Sequence, residues 1–153
     1  MAECGYYTSA AKLLESSIQT FRAFGDSYGV FAAVSELGTV YGLLGYDQAS
    51  SGQPDLAFAS FMQAKAYFFE SMQLRFEAVA VDRMNIIRQN MMELAKSMLI
   101  AGEALWSTDS AMASRFFQEV LEIARQYGAT EFLHEIQDRL RPYGFIFFSP
   151  RQS

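Results

Sequence analysis

The chain has 153 residues, the size of one ordinary domain, and its 51% hydrophobic and 15% aromatic content is enough for a real core. A formal net charge of −5 with no run of Lys or Arg argues against a nucleic-acid or anionic-membrane binder, because phosphate affinity comes from clustered basic residues. A single cysteine, Cys4, makes neither an internal disulfide nor a thiolate zinc site.

The N-terminal residues have no basic region followed by an apolar stretch, so they do not form a secretory signal. No charge-free apolar stretch of about 18 residues occurs, so no membrane span is expected. These features together predict a cytoplasmic protein.

In chain order, Tyr7, Ala11, Leu14, Ile18 and Phe21 recur at steps of 4 and 3, one stripe of a helix. Gly25-Asp26 ends it, with Gly suited to the C-terminal position and Asp to the next N-cap. Val30, Val34, Leu37, Tyr41 and Leu44 form a second stripe, with Gly45 as its expected stop. The following "YDQASSGQP" reads as a loop. Pro54 and Asp55 open a third helix with the stripe Ala57, Phe61, Ala64, Phe68 and Met72.

From Phe76 to Trp106, apolar residues repeat at steps of 4 and 3: Ala80, Met84, Ile87, Met91, Leu94, Met98, Ala101 and Leu105. This heptad-like seam predicts one helix of about 30 residues, with Asn90 and Gly102 as the candidate break points. A fifth helix carries Ala113, Phe117, Val120, Leu121 and Ala124 and stops at Tyr127-Gly128. A short sixth carries Leu133, Ile136 and Leu140 and ends at Pro142 and Gly144. No segment alternates apolar and polar residues, so the fold class is all-α, built of antiparallel helical hairpins.

The stretch from about Ala11 to Phe68 resembles a tetratricopeptide repeat array. Leu37, Gly38, Tyr41 and Gly45 match the first helix of that motif, and Ala57, Phe61 and Ala64 match the second. The chain reads as starting on a second helix, and "DQASSGQ" is about seven residues longer than the family's tight turn. Ala113, Phe117 and Val120 suggest a further, degenerate unit. The resemblance implies an α-solenoid of six helices over residues 1–144, followed by an apolar tail over 145–153. A generic helical bundle is the other architecture that fits the stripes.

Catalytic chemistry finds little support. His134 is the only histidine, and one His with one Cys does not assemble a nucleophilic unit. Glu131 and His134 match a diiron spacing once, without the second copy a two-metal site needs. Asp82 with Glu93, and Glu119 with Glu122, read as solvated carboxylates on charged helices. No glycine-rich phosphate loop occurs. The expectation is a protein that is not an enzyme, with no cofactor, no metal and no catalytic residues.

The resemblance implies a non-catalytic protein–protein interaction module, adaptor- or chaperone-like, that holds a peptide or helix on a concave face of first helices. That face would include Ala32, Ser35, Thr39, Gly42 and Leu43. It lacks the basic clamp by which some family members hold a C-terminal carboxylate, and so suits an apolar or helical peptide. The alternative is a structural subunit that homodimerises or sits permanently in a larger complex. Six of the eight methionines fall between Met72 and Met112. Its interface would use Met84, Met91 and Met98 of the long helix and Phe145, Phe147 and Phe148 of the tail. Core filling is the plainer use of those methionines. A small-ligand pocket lined by Tyr41, Phe61 and Trp106 is a weaker third reading.

Overall fold

A computed structural model describes residues 2–74, 83–128 and 130–145. Among them are six α-helices and no strand: α1 (Ala2–Ala23), α2 (Ser27–Ser50), α3 (Pro54–Gln73), α4 (Arg83–Leu105), α5 (Ser110–Tyr127) and α6 (Thr130–Leu140). A 3-10 turn, Arg141–Tyr143, follows α6.

Two of the turns use one device. Gly25 adopts φ +71°, a conformation open to a residue without a Cβ. Its N–H donates to the Arg22 carbonyl at 3.1 Å, and the Asp26 N–H donates to the Phe21 carbonyl at 2.8 Å. This pair of bonds is a Schellman motif, which satisfies the last carbonyls of α1. Asp26 then caps α2, its Oδ1 accepting the Gly29 N–H at 2.9 Å. Gly52, at φ +78°, repeats the motif: its N–H donates to Ala49, and the Gln53 N–H donates to Gln48 at 2.9 Å. Pro54 follows at once as the first residue of α3.

The expected loop after Gly45 is therefore wrong. Tyr46–Ser50 continues α2 as helix, and only residues 51–53 turn. Gly45 is not a stop signal because its role is packing. A Cβ built on it would lie 2.8 Å from the Phe61 ring of α3. Gly38 repeats the contact one heptad earlier, where a Cβ would meet Phe68 at 2.4 Å. Gly38 faces Phe68 while Gly45 faces Phe61, so the order reverses between the helices and the hairpin is antiparallel.

The same lock recurs in the α4–α5 hairpin, where a Cβ on Gly102 would lie 2.6 Å from the Phe117 ring. Gly45 to Gly102 is a step of 57, and at that step the buried α2 residues Val30, Val34, Leu37 and Gly38 map onto buried Ile87, Met91, Leu94 and Ala95. Phe61 to Phe117 is a step of 56, and it maps Ala57, Ala64 and Phe68 onto Ala113, Val120 and Ala124, all buried. The two hairpins share this burial pattern, with one residue fewer between glycine and phenylalanine in the second.

The long helix is seen over Arg83–Leu105, about 34 Å at 1.5 Å per residue. It passes both Asn90 and Gly102 without a break. The predicted stretch 76–82, with Ala80 and Asp82, lies outside the described residues. Ile87, Met91, Leu94, Met98 and Ala101 of its seam are buried, whereas Met84 is exposed.

Two apolar clusters form the core. One joins α1 to α2 and the other runs from Phe31 of α2 through α3, α4 and α5 to α6, with Tyr41 and Leu74 packed against both. Ion pairs at the surface bridge helices two apart in the chain: Arg22 of α1 to Glu70 of α3 at 3.7 Å, and Arg139 of α6 to Glu103 of α4.

Candidate partner-binding groove

The first helices of the two hairpins, α2 and α4, lie side by side, and an open groove runs between them. Its middle part is a pocket of about 230 Å³. Thr39, Gly42 and Leu43 form the α2 wall, and Asn90, Glu93 and Ser97 form the α4 wall. Gly38, Leu94 and Phe68 provide the floor. Gly42 and Leu43 stand three and four residues after Thr39, so each shares a helical face with it.

A second pocket of about 240 Å³ continues the groove toward the turns. It is walled by Tyr46 and Ala49 of α2 and by Ile100 and Ala104 of α4, over Phe116. Leu43, Tyr46 and Ile100 are 48%, 42% and 44% exposed, so the rim presents apolar surface to water. Among the described residues, Glu93 is the only charged one lining either pocket. Its carboxylate lies 3.3 Å from the Lys96 ammonium, an exposed pair that contributes little.

Gly42 differs from the other three glycines of α2, Gly29, Gly38 and Gly45, at each of which a Cβ would press on a ring of α1 or α3. A Cβ added at Gly42 would meet only Leu94, at an ordinary 3.6 Å. The same position one hairpin later is Leu99, fully buried. Leu99 sits between Lys96, whose ammonium lies 6.0 Å over the Phe132 ring of α6, and Glu103, paired with Arg139 of α6. Leu99 is thus buried on α4, while its α2 counterpart Gly42 borders an open pocket.

Of the five groove residues expected from sequence, Thr39, Gly42 and Leu43 line the pocket. Ser35 is half-buried and Ala32 exposed, one and two turns further toward the start of α2. Among the described residues, Ser35 Oγ is a buried side-chain polar atom without a hydrogen-bond partner.

The interface residues fare differently. Met91 and Met98 are fully buried in the chain's own core and offer nothing to a partner. Both lie on the inward seam of α4, where they fill space against α3 and α5. Met84 is exposed, and Phe145 packs against Phe117 with ring centroids 5.7 Å apart. Phe147 and Phe148 lie outside the described residues.

Tyr41, Phe61 and Trp106 do not share a pocket. Tyr41 stacks near Tyr67 at 5.5 Å, Phe61 is sealed against Phe116, and Trp106 packs on Phe117 and Tyr143. Burial raises the Tyr41 and Tyr67 hydroxyls above their ordinary pKa, and the Glu15 carboxylate adds to both shifts. Glu119 and Glu122 share Lys65, at 3.3 and 3.5 Å, on the opposite face of the molecule. His134 is exposed on α6.

The sequence reading missed the whole α4 wall and the turn-end pocket. The signal was present as a polar stripe, Asn90, Glu93 and Ser97, at steps of 3 and 4 beside the buried seam. On an isolated helix such a stripe reads as a solvated face.

No family model, curated protein or solved structure matches the chain. Among the described residues no three His, Cys, Asp or Glu side chains are grouped to hold a metal ion. No described helix is long and apolar enough to cross a membrane.

Proposed function

We propose that the chain is a non-catalytic, cytoplasmic protein–protein interaction module of the tetratricopeptide-repeat type, acting as an adaptor or chaperone-like protein. Its working surface is the groove between α2 and α4, which takes a peptide or helix from a protein partner. The observation that carries this reading is Gly42. A glycine inside a helix costs about 1 kcal/mol against alanine, and the chain's own packing does not require one at that position. An α2 wall left open to a partner does.

Thr39→Arg tests the reading. Thr39 is exposed and lines the groove, so the variant is expected to keep its helicity and to lose peptides selected on the unmodified protein. Peptides selected on the protein that bind the variant equally would sink the groove assignment.

A structural subunit is the second reading, favoured by exposed apolar side chains away from the groove. Leu13 is 70% exposed and Phe24 83%. Light scattering on a sizing column across a dilution series separates the two. A stable dimer of 17.2 kDa chains supports the second reading, and a monomer at all loadings supports the first.

A further inference from the structure

We infer that the outer face of α1 is the contact surface for a second copy of the chain, the two α1 helices pairing antiparallel about a two-fold axis. This deepens the structural-subunit reading and rests on it. The α2–α4 groove lies on the other side of α2 and stays open in such a dimer.

The two ends of the helical array differ. At one end, α6 shows water a polar, mostly acidic face of Glu131, His134, Glu135 and Asp138, as the last helix of a stack does where nothing covers it. At the other end, α1 packs on α2. Arg22 of α1 pairs with Glu70 of α3, and Glu15 lies close enough to Tyr41 and Tyr67 to act on their hydroxyls. Turned away from those contacts are Tyr6, Ala10, Leu13, Ser17, Thr20 and Phe24, at steps of 4 and 3 with no charged residue in the stripe. Phe24 directly follows α1 and continues its turn, its N–H donating to the Thr20 carbonyl at 3.1 Å. Tyr6 is as exposed as Leu13, at 70%.

The hydroxyls on this face already have partners. Ser17 Oγ donates to the Leu13 carbonyl at 3.0 Å, and Thr20 Oγ1 donates to the Ser16 carbonyl at 3.2 Å. Covering the face therefore strands no donor, which is the main cost of drying a polar surface.

The positions of the side chains select a second copy. Tyr6 and Phe24 stand nine residues either side of Glu15, Ala10 and Thr20 five, and Leu13 and Ser17 two. An identical α1 laid antiparallel, with Glu15 level with Glu15, sets ring against ring at both ends. Each Leu13 then meets the small Ser17 of the other copy, a knob over a hole. Sliding one copy by a heptad leaves Tyr6 or Phe24 of each chain uncovered. The stripe has no charge with which to repel its own copy. A head-to-tail stack would instead bury the α6 carboxylates against apolar surface, which is costly. The pairing is thus α1 on α1, and it closes at two chains.

The test is light scattering on a sizing column, from low to high micromolar loading, with circular dichroism to confirm folding. The full chain and Thr39→Arg are expected to run at twice 17.2 kDa. Leu13→Glu alters an exposed side chain, so it should keep its helicity and self-associate at least about tenfold more weakly, equivalent to about 1.4 kcal/mol. Single cysteines in a Cys4→Ser background read the arrangement. In the antiparallel pair, two copies of Ser16→Cys are offset along the axis by about 3 Å and two copies of Ala23→Cys by about 24 Å. Ser16→Cys is expected to crosslink on oxidation and Ala23→Cys to remain a single chain, because a disulfide does not span the larger offset.

Crosslinking of both cysteines alike, the mark of a parallel pair, overturns the antiparallel arrangement. A dimer that Leu13→Glu leaves intact overturns the α1 face while the structural-subunit reading stands. A dimer lost in Thr39→Arg places the second copy in the groove and overturns the α1 face as well. A monomer at every loading overturns both the inference and the reading beneath it.

Discussion

Replacing Gly38 with alanine adds one methyl group where the structure leaves no room. The new carbon would lie 2.4, 2.6 and 2.8 Å from three atoms of the Phe68 ring. Phe68 is only 3% exposed, so the ring has nowhere to retreat. Overpacking of this kind costs about 1–3 kcal/mol, and so close an approach belongs at the upper end. Alanine returns about 1 kcal/mol of helix propensity. The net loss is about 1–2 kcal/mol, which for a chain of this length lowers the melting temperature by roughly 2–8 °C. The assay is thermal unfolding by circular dichroism, run as a cycle with Phe68→Leu. The smaller leucine makes room for the methyl, so the double variant should recover at least about 0.5 kcal/mol relative to the sum of the singles. A Gly38→Ala variant as stable as the parent, or a cycle with no coupling, refutes the claim that glycine is there for the ring.

Two other outcomes follow from the caps and the buried tyrosines. Asp109→Ala removes the carboxylate whose Oδ1 accepts the Met112 N–H at 3.1 Å, and should cost about 1 kcal/mol in a urea titration. Burial raises the hydroxyls of Tyr41, Tyr67 and Tyr127 above their ordinary pKa. The folded state therefore holds these protons after the unfolded chain has released them. The stabilisation is complete below about pH 10, the unfolded tyrosine value, and declines as pH rises above it toward the folded values. Urea midpoints measured from about pH 9 to 11 should show this fall, and Tyr41→Phe with Tyr67→Phe should flatten it.

The helices were legible because each buries a single stripe, and a stripe at steps of 4 and 3 is a property of local sequence. Gly25-Asp26 was legible for the same reason, since both its cap roles are met by residues next to it. Gly45 was not legible. A glycine that takes a positive φ at a helix end and a glycine that receives an aromatic ring are the same letter. What separates them is Phe61, which reaches Gly45 only once the hairpin has closed. Gly52, seven residues on, is the one that turns. Met91 and Met98 were open to two uses because periodicity shows which face is apolar but not what covers it. The groove was half legible, as the α2 wall. The α4 wall depends on which helix lies beside α2, a pairing across the 57-residue step between hairpins that no local window contains.

That step also sets a sharp test of why the groove is open. Gly42 and Leu99 occupy the same position in the two first helices, yet one leaves a pocket of about 230 Å³ and the other is fully buried. Gly42→Leu should give α2 the face that α4 already has. Its Cβ would meet Leu94 at an ordinary 3.6 Å, and the rest of the side chain has the pocket to fill. Burying about half of a leucine contributes roughly 1 kcal/mol, and leaving glycine behind in a helix contributes about another 1 kcal/mol. The expected rise in melting temperature is roughly 4–8 °C, with every groove-dependent peptide lost. A variant that gains stability and loses binding would mean that the chain keeps Gly42 for its partner, at the expense of its own fold. A fall in stability would mean that the pocket is not free to take a leucine. The glycine would then belong to packing like Gly38, and the argument for an open wall would fail with it.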